Sequence, residues 1–178
     1  LQHISDSVLK SMNRGNNSSQ TYKLIETIRT KVPGIALRTT LISGFPTETL
    51  EHHKELLRFI EEVRFERLGI FSYSREEGTP AYPLGNPVKK SEKKRRLDEL
   101  MALQQKISKQ LNEAKIGTQL SVIIDEEDDS FYYGRSEFDS PEVDNSILIR
   151  KENPLTIGDF YTTLITEADT FDLFRKIV

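Results

Sequence analysis

The chain of 178 residues is long enough for one large domain or two small ones, and it contains no cysteine, which excludes disulfides, thiolate catalysis and cysteine-bound iron–sulfur clusters within these residues. No segment approaches the roughly 20 consecutive apolar residues of a membrane span, and no signal peptide is visible at the start. The net charge of −3 is unevenly distributed, since residues 1–115 hold twenty Lys and Arg against fourteen Asp and Glu, whereas residues 116–178 hold five against fourteen. This asymmetry predicts two modules with different partners.

Residues 1–115 read as alternating strands and helices. A strand end at 1–4 and a short helix are followed by a helix at 19–31, a strand at 36–43, a helix at 49–63 and a strand at 67–72. The order β-α-α-β-α-β with modest connections predicts parallel strands and right-handed crossovers. Three strands make a small parallel sheet, and the chain opens on Leu1 without a starting Met. We therefore expect a piece of a larger α/β domain, cut from a longer protein.

The strand at 36–43 leads into a glycine turn, and Thr49 is suited to cap the helix that follows. Ligands of α/β folds lie at the carboxyl ends of such strands. Gly44 lets the backbone approach a ligand closely, and Pro46 prevents the strand from continuing. A βα loop that holds no ligand is an equally good interpretation of this stretch by itself.

A long helix is predicted from Ser91, as its N-cap, to about residue 115. Its start is a basic run that we expect to be solvated, with contact to RNA as the alternative: Lys89, Lys90, Lys93, Lys94, Arg95 and Arg96. The adjacent His52 and His53 would diverge by about 100° on a helix, so we expect an exposed pair rather than a metal site.

After Gly117 the pattern changes to strand alternation near 120–124, 131–138, 147–149, 160–165 and 171–177. Five short strands in about sixty residues predict a small antiparallel barrel of the OB type. The acidic run at 125–129 lacks the glycine and spacing of a calcium loop and is interpreted as a hairpin turn. We place the domain boundary near 115–117, which gives an α/β part at 1–115 and a barrel at 116–178.

Three stretches, in this order and spacing, resemble the methylthiotransferases of the radical S-adenosylmethionine superfamily: Leu1-Gln2-His3-Ile4-Ser5-Asp6 through Met12-Asn13-Arg14-Gly15; Leu41-Ile42-Ser43-Gly44-Phe45-Pro46-Thr47-Glu48-Thr49; and Phe71-Ser72-Tyr73-Ser74 with Gly78-Thr79-Pro80-Ala81. Residues 116–178 resemble the TRAM domain that ends these enzymes. The resemblance implies the carboxyl-terminal part of a partial TIM-like barrel with its long connecting helix, followed by TRAM. Thr47 departs from the family, which usually has glycine there.

The same resemblance implies S-adenosylmethionine and two [4Fe-4S] clusters in the full-length enzyme. The cysteines that would hold the clusters are not among these residues. We therefore expect no catalytic residue and no metal ligand in this fragment, and no activity from it alone.

Two branches of the family compete, one acting on an adenosine of transfer RNA and the other on an aspartate of ribosomal protein S twelve. The stretch Arg38-Thr39-Thr40 lacks an aspartate that the tRNA branch usually has, while 76–79 and 139–144 resemble the ribosomal-protein branch. Residues 116–178 carry a net charge of −9, which repels an RNA backbone and attracts a basic protein. We therefore expect the ribosomal protein as partner, RNA binding less so, and a cytoplasmic location. The tRNA enzyme and a non-catalytic binding module remain the alternatives.

The resemblance places S-adenosylmethionine across the strand ends and implies eight cofactor-binding residues: Gln2, His3, Arg14, Arg38, Thr40, Gly44, Phe45 and Tyr73. Since strand side chains alternate with period two, Arg38 and Thr40 share a face with Ile42. A structural ion pair is the alternative for Arg38, and a solvated side chain is the alternative for Arg14. For substrate binding we expect the acidic residues Asp139, Glu142 and Asp144.

Overall fold

A computed structural model describes residues 1–140, 146–170 and 173–177. The chain forms two compact units, Leu1–Gln104 and Gln105–Val178. Among the described residues, no helix is long and apolar enough to cross a membrane.

The first unit contains helices α1 (Asp6–Ser11), α2 (Ser18–Lys31) and α3 (Leu50–Val63), strands β1 (Arg38–Ser43) and β2 (Arg67–Ser72), and the start of helix α4 (Lys90–Glu113). β1 and β2 pair in parallel, with Arg38 opposite Arg67 and Ser43 opposite Ser72. The amide of Ile42 donates to the carbonyl of Gln2 at 2.8 Å, so the start of the chain lies beside β1. The α/β order expected from the first helix onward is confirmed, but the strand expected at 1–4 does not form, so the described sheet has two strands rather than three.

Local side-chain chemistry explains where the helices begin. Asn17 caps α2 and Thr49 caps α3, each in a reciprocal capping box with the residue three positions later. The prediction of Thr49 as N-cap is thus confirmed. The prediction of Ser91 as N-cap was wrong, because α4 begins at Lys90 and the amide of Lys93 already donates to the carbonyl of Lys89.

The sheet of the first unit is buried on one face and open on the other. Thr39, Leu41 and Ser43 of β1 point to the buried face, while Arg38 and Thr40 are exposed. The apolar core of this unit includes the fully buried side chains of Val8, Leu41, Leu56, Phe59, Ile60 and Leu100. The buried face of β1 is thus mostly small or polar, with Leu41 as its one apolar side chain, and the sheet is covered on that face only.

The second unit contains a closed barrel of five strands: β3 (Gln119–Glu127), β4 (Phe131–Ser136), β5 (Ile147–Arg150), β6 (Phe160–Ala168) and β7 (Leu173–Ile177). The strand order is β3-β4-β5-β7-β6, and every pair is antiparallel except β5–β7. The inward residues form the core that the alternation predicts: Val122, Ile124, Tyr132, Ile147, Ile149, Ile165 and Leu173. The small barrel expected from the sequence is confirmed.

The acidic run joins β3 to β4 as a hairpin, as expected. β3 extends through Glu127, and Asp128 turns the chain by accepting hydrogen bonds from the amides of Ser130 and Phe131 at 2.7 Å each. Its other carboxylate oxygen accepts from the hydroxyl of Tyr133 at 2.6 Å. These bonds lower the pKa of Asp128, since they stabilise its charged form.

Candidate functional site

A cavity of about 450 Å³ lies in the first unit, at the end of the sheet where β1 and β2 finish. Its volume is in the range of small-molecule sites, roughly 300–1,000 Å³. The start of the chain, the end of α1, both strand ends and the loop after β2 contribute to its lining: Gln2, Met12, Arg14, Ile42, Phe45, Phe71, Tyr73, Glu76 and Ala81 are among the residues that line it. The carboxyl ends of parallel strands are the usual position of a ligand in α/β folds.

The three sequence stretches that carry the family resemblance meet at this cavity. Gln2 and Arg14 come from the first stretch, Phe45 from the second and Tyr73 from the third. Segments separated by as many as seventy residues in sequence thus form one wall, because β1 and β2 run parallel and end at the same edge.

The lining combines apolar surfaces with a few polar groups. The rings of Phe45 and Tyr73 pack edge to face with centroids 5.1 Å apart, and Phe71, on the open sheet face, is 63 % exposed. Arg14 Nε donates to Gln2 Oε1 at 3.2 Å. The hydroxyl of Tyr73 is buried and has no hydrogen-bond partner among the residues that the structure describes. Such a group is one that a polar ligand atom can satisfy.

Four of the eight residues expected to bind the cofactor line the cavity: Gln2, Arg14, Phe45 and Tyr73. Arg38 and Thr40 do not line it. They lie on the same open face as Ile42, nearer the beginning of β1. The sequence analysis did not single out the lining residues Met12, Phe71 and Ala81. They belong to the same three stretches that resemble the family, so those stretches already indicated this part of the cavity.

His3 lies beneath the strand ends rather than in the cavity. Its ring is completely buried, and its Nδ1 accepts a hydrogen bond from the amide of Ser5 at 3.0 Å. Its Nε2 is 3.6 Å from Glu48 Oε2, which is too long for a hydrogen bond but places the ring beside that carboxylate. His3 thus packs beside Glu48, the residue whose carboxylate accepts from the amide of Gly44 in the turn after β1.

Gly44 forms that turn together with Glu48. Gly44 has φ +79°, in the left-handed region that favours glycine, and its amide donates to Glu48 Oε2 at 2.8 Å. Arg96 Nη1 donates to Glu48 Oε1, also at 2.8 Å. Burial by itself would raise the pKa of Glu48, but the neighbouring His3 and Arg96 outweigh it and lower that pKa. The buried side chain is therefore a carboxylate at neutral pH.

The loop after β2 closes one side of the cavity. Ser74 Oγ donates to Glu76 Oε1 at 2.6 Å, and Thr79 Oγ1 donates to the carbonyl of Glu76 at 2.8 Å. The guanidinium of Arg75 lies 3.9 Å above the ring of Tyr82 and donates to its carbonyl. These contacts give a loop without regular secondary structure a defined path along the cavity.

The residues expected to bind a substrate belong to the barrel unit. Asp139 accepts hydrogen bonds from the amide and hydroxyl of Ser136, at 3.1 and 2.5 Å, and so closes the turn after β4. Glu142 and Asp144 lie outside the described residues.

The expectation of an exposed histidine pair was wrong for His53. Its ring is buried, and its Nε2 lies 2.7 Å from Glu99 Oε2 on α4. His52 instead takes part in the capping box of α3. Within 1–140, 146–170 and 173–177, no group of His, Asp and Glu is arranged to hold a metal ion.

Comparison with known proteins gives matches for both parts of the chain. A family profile described as the TRAM domain matches residues 116–178, the segment that contains all five barrel strands. A protein named ribosomal protein uS12 methylthiotransferase RimO from Parabacteroides distasonis is 48 % identical over 179 residues, covering 100 % of this chain and 41 % of the relative. The proteins of that name from Bacteroides thetaiotaomicron and Christiangramia forsetii are 51 % and 49 % identical, covering 100 % and 99 % of this chain and 41 % and 39 % of their own lengths. The chain thus spans about two fifths of the length of these relatives.

Proposed function

Because the chain belongs to the RimO family of ribosomal protein uS12 methylthiotransferases, we propose that it is one segment of a longer enzyme that adds a methylthio group to the β-carbon of an aspartate in uS12. The observation that carries this proposal is the identity of 48–51 %, which extends over the barrel and the α/β part alike. The cavity where the three resembling stretches meet agrees with it, since a binding site at that edge is what such an enzyme requires.

S-adenosylmethionine is the ligand that we propose for the cavity. Phe45 offers an apolar surface to a base, Arg14 a cation to a carboxylate, and Gln2 and the buried Tyr73 hydroxyl offer hydrogen bonds. When bound, this cofactor supplies the radical that removes a hydrogen from the substrate and the methyl group of the product. Gly44 holds the turn that carries Phe45 into the cavity wall, whereas Arg38 and Thr40 lie on the open sheet face outside the cavity lining.

Two [4Fe-4S] clusters complete the proposed enzyme. A chain without cysteine has no thiolate for them. We therefore assign the cluster ligands to parts of the enzyme outside these 178 residues, and we assign to this chain the binding of cofactor and substrate but no complete activity.

The barrel is the proposed contact for uS12. Its acidic hairpin is exposed from Asp125 to Asp129, and among the described residues ion pairs from Arg135 to Asp125 and from Lys151 to Glu127 compensate part of that charge. Ribosomal proteins are generally basic, so the −9 charge of residues 116–178 favours such a partner and disfavours RNA. Glu142 and Asp144 belong to the proposed substrate-binding residues by sequence alone, and the proposed substrate favours a cytoplasmic location.

Deleting the complete gene tests the proposed activity. Mass spectrometry of uS12 should then show loss of one methylthio group on a single aspartate, restored by the full gene. Persistence of the modified aspartate refutes the proposal. Loss of methylthioadenosine from transfer RNA, with uS12 unchanged, assigns the enzyme to the tRNA branch instead.

Charge reversal tests the role of the barrel. We expect Glu126→Lys with Asp129→Lys to weaken binding of purified uS12 to the full-length enzyme, with a larger effect at low salt. Glu26→Lys with Glu61→Lys makes the same change in net charge at exposed sites of the first unit and serves as the control. Equal weakening by the two pairs would mean that only the overall charge matters, which contradicts docking on the barrel.

A further inference from the structure

Helix α4 buries two side chains of its basic run under the turn after β1. Lys93 and Arg96 are each only 6 % exposed. They are three positions apart and therefore lie on the same face of the helix. The expectation of a solvated run was wrong for these two, although it holds for Lys94, which pairs with Asp98 at the surface. Burying a cation is costly unless it is paired, so the contacts of Lys93 and Arg96 need an explanation.

Arg96 holds both the backbone and the side chain of Glu48. Its Nη1 donates to the Glu48 carbonyl at 3.0 Å and to Oε1 at 2.8 Å, while its Nε donates to Glu92 Oε1 at 2.8 Å. Because the other carboxylate oxygen of Glu48 accepts from the amide of Gly44, a continuous set of hydrogen bonds runs from α4 to the turn. Hydrogen bonds from Gly44 and from Arg96 thus fix the orientation of the Glu48 carboxylate.

Lys93 connects the same helix to the end of β2. Its Nζ donates to the carbonyl of Tyr73 at 2.8 Å and lies 4.7 Å from the centroid of the Tyr73 ring. Its aliphatic stem passes directly beneath Gly44, where an added Cβ would lie 2.6 Å from the Lys93 Cγ. Burial lowers the pKa of Lys93, and the charge of Glu48 opposes that effect.

Together these contacts join α4 to both strand ends that line the cavity. Phe45 follows Gly44 directly, and its ring packs against Tyr73. A shift of the turn would therefore move the Phe45 ring and the Tyr73 hydroxyl relative to each other, although neither Arg96 nor Lys93 lines the cavity.

We propose that Arg96, acting through Glu48, is a positioning residue that sets the Gly44–Phe45 turn in the geometry needed to bind the cofactor, with Lys93 doing the same for the Tyr73 end of β2. The inference rests on the proposed function, since it presumes that the cavity binds S-adenosylmethionine. Helix α4 would then contribute to cofactor binding, in addition to connecting the α/β part to the barrel.

The test measures ligand affinity rather than turnover. S-adenosylhomocysteine, which lacks the reactive methyl group, is titrated calorimetrically into the full-length protein. We expect Arg96→Met to raise its dissociation constant about tenfold, the loss typical for a hydrogen bond to a charged group. Arg96→Lys keeps the charge but not both hydrogen-bond directions, so it should recover only part of the affinity. Lys93→Met keeps the stem beneath Gly44 and removes only the bond to the Tyr73 carbonyl, so it should weaken binding less.

Arg95→Met is the matched control, because Arg95 is a neighbour on the same helix whose ion pairs with Glu92 and Glu99 are exposed. We expect unchanged affinity for S-adenosylhomocysteine in this variant. The helical circular dichroism signal and the urea unfolding midpoint are measured in parallel, since a positioning role lowers affinity for the nucleoside ligand in a folded protein, whereas misfolding of the first unit also lowers the helical signal.

Arg96→Met and Lys93→Met proteins that bind S-adenosylhomocysteine as tightly as the unmodified protein overturn the positioning role and leave the proposed function intact. If Arg96→Met fails to fold, the same decision rests on Arg96→Lys and Lys93→Met. An unmodified full-length protein that does not bind the ligand overturns the proposed function itself, and the positioning role with it.

Discussion

Substituting Gly44 by alanine tests how closely helix α4 lies under the turn. Two costs act at this position. The left-handed backbone, at φ +79°, costs an L-residue about 1–2 kcal/mol. The new Cβ would also lie 2.6 Å from the Cγ and 3.2 Å from the Cδ of Lys93. Lys93 cannot simply swing away, because its Nζ is held by the Tyr73 carbonyl. Overpacking of this kind costs about 1–3 kcal/mol, so the expected total is about 2–5 kcal/mol.

Gly78→Ala is the matched control for this substitution. Gly78 has a similar φ of +76°, but an added Cβ there would meet nothing within 4 Å. Only the backbone cost of about 1–2 kcal/mol should appear, and the smaller conformational entropy of the unfolded chain offsets both variants equally. The free energy of unfolding is measured by urea denaturation, followed by the helical signal in circular dichroism. Equal losses for Gly44→Ala and Gly78→Ala would refute the close contact with Lys93.

Three further predictions concern other parts of the chain. Glu48→Gln should cost about 3 kcal/mol at pH 7, since it removes one partner of a buried ion pair. The difference in the free energy of unfolding between this variant and the unmodified protein should shrink as the pH falls below about 4.5 and through the lowered pKa of Glu48. The reason is that the stability contributed by an ionised carboxylate is lost when it is protonated. A difference in urea midpoints that does not depend on pH contradicts this. Gly134→Ala should unfold the barrel at lower temperature, since its Cβ would collide with the Ile123 carbonyl oxygen; a thermal melt with an unchanged midpoint argues against that contact. Burial and the hydrogen bond to Glu62 raise the pKa of Tyr22 to about 12, so Tyr22→Phe should remove a tyrosine that titrates near pH 12 from an ultraviolet titration, and Glu62→Gln should shift that transition toward neutral pH.

Periodicity predicted much of the fold because local patterns determine it. The switch from helical spacing to strand alternation after Gly117 identified the barrel, and the cap at Thr49 placed the start of α3 to the residue. The barrel order, with one parallel pair between β5 and β7, has no local signal, since it depends on which distant edges meet.

The candidate site was predictable only in part, because several of its contacts join residues far apart in sequence. Five of the six basic residues lie in the first seven positions of α4, and the sixth lies just before the helix. Their charge alone indicates that they are solvated. Arg96 is buried because Glu48, 48 positions earlier, supplies a carboxylate and a carbonyl to it. His3 and His53 were likewise placed by distant carboxylates, Glu48 and Glu99, that no local spacing relates to them.

The bond between Glu48 and Arg96 also sets an order of events during synthesis. At about 5–20 residues per second, roughly 2–10 s separate the addition of these two residues to the growing chain. Throughout that interval the Glu48 carboxylate must stay hydrated, since burying it without its cation would cost several kcal/mol. Strand β1 and helix α3 can form first, but the turn between them reaches its final form only after the first turns of α4 have left the ribosome. A nascent chain that stalls before residue 96 therefore carries a turn after β1 whose buried ion pair has not yet formed.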